Sequence, residues 1–191
     1  MIDEYWVEKT SPLVERDQFI REALRSRGVL ADAYHPEMEK THIQNAQKLQ
    51  SMIEKRGFPV LSNAGDKGVR QSWLIIQHAI SLPTFIKECL IQMRLAASQN
   101  DYPLELLAVT EDHVAYLEGR PQLYGTHLQW FEGELKPTPI EDVKMLDQRR
   151  KSIGLPPMSS INSVSMDRPP KDPVKKEAEF NLWLKRVGWR T

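Results

Sequence analysis

One stretch of the sequence sets polar residues where an apolar surface surrounds them. From Val69 to Ile80, advancing about 100° per residue from Trp73 spreads Leu74, Ile75, Ile76, Ala79 and Ile80 over nearly the whole circumference of a helix, with Gln77 and His78 between them. Leaving a buried polar group unpaired costs about 1–3 kcal/mol, so His78 predicts a partner. A neutral histidine held by a carboxylate is a general base. The bland alternative is a core histidine satisfied by a backbone carbonyl. Asp112 is the candidate carboxylate to orient His78, at the end of the predicted helix that precedes the strands, and Tyr124 the candidate proton donor. The run Gln122-Leu123-Tyr124-Gly125-Thr126 places an amide, a phenol and a hydroxyl around a glycine that lets a ligand or another backbone come close. Gln77, Gln122, Gly125 and Thr126 are thus the candidate substrate-binding residues, against the plainer reading of a bulged strand with Tyr124 over the core.

Other chemistries find less support. The histidines His35, His42, His78, His113 and His127 form no His-x-x-x-His pair, and the single Cys89 cannot build a usual structural zinc site. No metal or cofactor is expected. Cys89 reads as a small core residue of a reducing compartment. There is no Gly-x-Ser-x-Gly elbow and no glycine-rich phosphate loop. With 26 Lys and Arg against 26 Asp and Glu the net charge is zero, which gives no general pull toward nucleic acid. No apolar run approaches the roughly 20 residues of a membrane span, and the acidic start Met1-Ile2-Asp3-Glu4 is unlike a secretory signal. The expected location is cytoplasmic.

The elements that must position these residues are mostly helical. At 191 residues, 40% hydrophobic and 27% charged, the chain suits one domain with appendages. Ser11 to Arg27 reads as an amphipathic helix with Phe19, Ile20, Ala23 and Leu24 inward, begun by Ser11-Pro12 and stopped by Gly28. A second helix spans about Pro36 to Arg56 on Ile43, Ala46, Leu49 and Ile53. An Asn63-Ala64-Gly65-Asp66 loop leads to the helix bearing His78. Phe85 to Ala97 and Leu104 to about Asp112 follow as core helices, and Val114 onward turns β-like. Leu123 to Phe131, then Glu132-Gly133 and Glu134-Leu135, predict a hairpin with Tyr124, Thr126, Leu128 and Trp130 on one face. Glu141 to Ser152 is helical. Leu155 to Pro173 holds five prolines and four serines, an extended linker, and Phe180, Trp183, Leu184 and Val187 mark a helix that docks on its own core or on a partner.

The segments Gln71-Ser72-Trp73-Leu74-Ile75-Ile76-Gln77-His78-Ala79, Glu111-Asp112-His113-Val114 and Pro121-Gln122-Leu123-Tyr124-Gly125-Thr126-His127 resemble a bacterial domain family of unknown function. Gly57-Phe58-Pro59, Asp147-Gln148-Arg149-Arg150 and Gly154-Leu155-Pro156-Pro157 fit the same pattern, so the resemblance covers about Thr41 to Met158. It implies that Gln77 and His78 matter, and it carries no activity with it. The family pattern has Trp, Arg and Gln where this chain has Phe58, His113 and His127.

The sequence thus predicts a mainly helical (α+β) domain over residues 10–158 with a small antiparallel hairpin, a linker at 159–173 and an amphipathic helix at 174–191. Gln77, His78, Asp112, Gln122 and Tyr124 to Thr126 are expected to converge on one pocket. Two functions compete. One is an acid/base enzyme on a small molecule or peptide, with His78, Asp112 and Tyr124 catalytic. The other is an interaction module that binds a protein partner through residues 174–191.

Overall fold

In the computed structural model, which describes residues 4–30, 34–131, 134–160 and 170–191, helix α1 runs Tyr5–Ser26 and carries Pro12 in its interior. Its buried positions are Trp6, Thr10, Leu13, Asp17, Ile20 and Leu24, spaced by three and four. The stripe is rotated from the expected one, and Phe19 is 76% exposed. Trp6, ahead of the expected start, sets that phase by sinking into the core.

Helix α2 (Pro36–Arg56) has the predicted bounds: Pro36 opens its first turn, His35 Nδ1 accepts from the Glu37 amide, and Gly57 ends it. Its buried stripe includes Thr41, His42 and Asn45 beside Ala46, Leu49 and Met52. Helix α3 (Leu61–His78) begins before the expected loop, which is reduced to a kink at Gly65. Asn63 accepts from the Val60 amide and Asp101 accepts from the Ser62 amide, so side chains stand in for the missing backbone partners of that first turn. Gly68 lets α1 come close, since a Cβ there would stand 3.0 Å from Trp6 Cβ.

Helix α4 (Pro83–Ser98) packs on helix α5 (Leu104–Glu118). The latter runs six residues past the expected end because Val114, Ala115 and Leu117 are buried on its inner side; Gly119, at φ 75°, stops it. The β-like composition after Val114 is thus overridden by burial on a helix. Strands β1 (Leu128–Phe131) and β2 (Glu134–Pro137) form the antiparallel hairpin, with Leu128 opposite Pro137 and Phe131 opposite Glu134. The expected strand is shorter at its start, so Tyr124 and Thr126 do not share a strand face with Leu128 and Trp130. A 3-10 turn at Val143–Met145 leads into helix α6 (Leu146–Ser152).

Helix α7 (Pro173–Val187) packs on its own chain. Leu184 is fully buried, and Phe180, Trp183 and Val187 lie against the main core with Trp6, Leu49, Ile76, Met93 and Leu117. Just past it, Trp189 Nε1 donates to the Ile80 carbonyl at 2.7 Å. Most of the predicted linker, 161–169, falls outside the described residues. Cys89 is buried among apolar side chains, and burial raises its thiol pKa to about 12. Among the described residues no helix is long and apolar enough to cross a membrane.

Candidate functional site

His78 ends α3, and the carboxylate it meets comes from α1. Its Nδ1 lies 2.5 Å from Asp17 Oδ2, while His42 Nε2 from α2 lies 3.3 Å from Asp17 Oδ1. The Tyr34 hydroxyl stands 2.7 Å from His42 Nδ1. The His42 and His78 rings are 4.8 Å apart at 35°. Asp17 and His42 are buried, whereas the His78 side chain keeps 21% of its surface.

The protons of this group can be placed. A carboxylate only accepts, so both imidazoles donate to Asp17, His78 through Nδ1 and His42 through Nε2. His42 Nδ1 then holds a lone pair and accepts from Tyr34 O–H. Burial pushes the Tyr34 phenol well above its usual range, which keeps that proton in place. Burial also opposes the Asp17 charge, but the hydrogen bonds and charges of His42 and His78 outweigh it and hold the acid well below the usual carboxylate range. Desolvation lowers the His42 pKa against the pull of Asp17. One site is left over: His78 Nε2 has no hydrogen-bond partner among the described residues.

The ligand atoms of Asp17, His42 and His78 all fall within 4.8 Å, so among the described residues these three could hold a metal ion. The 2.5 Å separation of His78 Nδ1 and Asp17 Oδ2 suits a shared proton better. Two ligands at metal bonds of about 2.1 Å and a right angle sit about 3 Å apart.

Gln77 belongs to a second network. Thr110 Oγ1 donates to the Leu106 carbonyl at 2.8 Å and accepts from Trp73 Nε1 and from Gln77 Nε2 at 2.7 Å. Gln77 Oε1 faces His113 Nδ1 at 2.8 Å. Beyond them the rings of His113, His127 and Tyr116 stack.

A third network gathers the other predicted site residues. Asp112, fully buried in the interior of α5 and not at its end, accepts from the amides of Leu123 at 2.7 Å, Tyr124 at 3.0 Å and Thr126 at 2.9 Å, and from Thr126 Oγ1 at 2.8 Å. Gln122 bridges the hairpin base, accepting from the His127 amide and donating to the carbonyls of His127 and Thr138. Gly125, at φ 67°, packs where a Cβ would touch Ile140 and Met158 at 3.3 Å. Arg149 donates to the Leu123 carbonyl, and Arg150 to those of Tyr124 and Pro156. No hydrogen bond links Asp112 or Tyr124 to His78 among the described residues. The expected single pocket is therefore three networks, and the partner of His78 is Asp17.

Asp17, His42 and Tyr34 are not among the site residues expected from the sequence. A signal was available. Asp17 falls in register with Leu13, Ile20 and Leu24, and His42 with Ala46 and Leu49, so each is a titratable residue inside an apolar stripe.

The model of a family of unknown function, DUF6624, matches residues 8–167. The chain belongs to that family. The matched segment takes in all three networks. No curated protein and no solved structure matches the chain.

Proposed function

We propose that this DUF6624 protein is an acid/base enzyme acting on a small molecule or peptide, with His78 as the proton-transfer residue and Asp17 as the carboxylate that positions it. The reading rests on one observation: His78 Nδ1 is fixed by Asp17 at 2.5 Å while Nε2 remains without a partner among the described residues. This is the arrangement in which a carboxylate selects the tautomer and leaves the far nitrogen to take a proton. Asp112, Gln122, Gly125 and Thr126 shape the loop after α5 in this reading, and Tyr124 is held there by its backbone. The competing interaction-module reading draws on Val174 and Leu182, 79% and 69% exposed on α7, since the stripe Phe180, Trp183, Leu184 and Val187 faces its own core.

Two measurements test the proposal. Acylation by diethyl pyrocarbonate, mapped by mass spectrometry, should modify His78 well ahead of His42, whose two nitrogens are both engaged. A screen of chromogenic carboxyl esters, phosphoesters and anilides should give a turnover that His78→Ala lowers by about 10²–10⁴-fold, with the fold kept. A His78 that resists acylation, or a turnover indifferent to its removal, sinks the reading.

A further inference from the structure

A cavity of about 740 Å³ opens between α5, β1 and α7, walled by His113, Tyr116, His127, Leu128, Trp130 and Phe180. That is the size of a small-molecule site. Four of its rings form one stacked row. His127 stacks on Tyr116 with centroids 3.8 Å apart and lies 7° from the plane of His113 at 5.5 Å, and Phe180 continues the row at 17° to Tyr116.

The hydrogen-bond sense of the cavity can be worked out from its floor. Thr110 gives its one proton to the Leu106 carbonyl, so it can only accept from Gln77, and the Gln77 amide nitrogen must be the group that faces it. Gln77 therefore turns its carbonyl oxygen to His113, and His113 Nδ1 must be the protonated nitrogen. The lone pair falls on Nε2, which has no partner among the described residues. Burial lowers the pKa of His113 to about 3 and of His127 to about 4, so neither wall takes up a proton near neutrality.

We propose that this cavity, whose lining also carries Arg21, Lys176 and Glu177, binds an aromatic molecule whose ring joins the stacked row and whose O–H or N–H group donates to His113 Nε2. Gln77 acts here as a positioning residue that fixes the accepting tautomer. The cavity also borders Tyr34 of the Asp17 group, but the proposal stands or falls without the proton-transfer reading of His78.

The test compares 2-naphthol with 2-methoxynaphthalene, two probes with the same ring and with or without a donor, by isothermal titration calorimetry on the full chain. One neutral hydrogen bond predicts a dissociation constant about three- to tenfold lower for 2-naphthol. His113→Phe keeps a ring in the wall and removes the acceptor, so it should bring the two probes level. Equal binding of both probes to the native protein, or saturation by neither, overturns the proposal. That comparison decides the matter even if the variant fails to fold, and circular dichroism reports whether it does.

Discussion

A carboxylate shared by two imidazoles, as Asp17 is, has its charge set by opposing forces, and the donors win. Replacing it with Asn removes that charge and leaves an amide NH₂ facing one ring. We expect Asp17→Asn to cost about 3 kcal/mol in urea unfolding, near the lower end of what breaking a buried charged pair costs. It should also slow acylation of His78. A loss below about 1 kcal/mol would mean that Asp17 is poorly held. The depressed imidazoles carry a pH dependence. The pKa values of His42, His113 and His127 in the folded chain lie below the usual value near 6.5, so at acid pH the unfolded chain binds protons that the folded one refuses. Their stabilisation is complete above about pH 6.5 and is lost as the pH falls below it, by up to about 2 kcal/mol each at pH 5 for His113 and His127. Urea midpoints at pH 7.5 and 5.0 should show the drop, and His113→Gln should make it shallower. An unchanged midpoint at pH 5.0 would contradict the burial of these rings.

Helices were legible in the sequence where one residue type could be placed in only one way. Pro36 and Gly57 bracket α2 as their chemistry requires, whereas α5 runs on to Gly119, past the end expected near Asp112. What stayed hidden is decided by distance in space. Nothing local tells Asp112 that four donors from Leu123 to Thr126 will arrive, and those donors are what keep that segment out of the strand its composition suggests. Asp112→Ala should cost about 3 kcal/mol, because the amides it satisfies lose their acceptor together. Hydrogen exchange should locate the damage at Leu123, Tyr124 and Thr126; protection unchanged there would show that the loop holds itself. Likewise the close approach of α1 to α3 depends on a missing side chain at Gly68. Gly68→Val should destabilise by about 1–3 kcal/mol, since its Cβ meets the Cβ of Trp6, which cannot swing away. A variant as stable as the native chain would mean that the two helices can part freely.

For the whole molecule, the question that the stripe Phe180-Trp183-Leu184-Val187 leaves open in the sequence is answered by packing. Leu184 and Trp189 enter the same core as Trp6 and Ile76. Leu184→Ala should cost about 2–5 kcal/mol by opening a cavity there. Thermal unfolding of that variant within a degree of the native chain would show α7 to be an appendage. The overall class, helical with one hairpin, follows from periodicity and turn residues, which a single sequence displays. The three separate polar networks do not, because each joins residues from elements distant along the chain.

That distance shapes how the molecule is born. Trp183 reaches Glu39 across 144 positions, and Trp189 reaches Ile80 across 109. Phe180, part of the wall of the aromatic cavity, belongs to the same helix. During synthesis from the N-terminus, the earlier helices leave the ribosome with the apolar patch that Leu184 and Trp189 later cover still open to water. The nascent chain is therefore sticky until α7 emerges, and the aromatic cavity gains its last side only then.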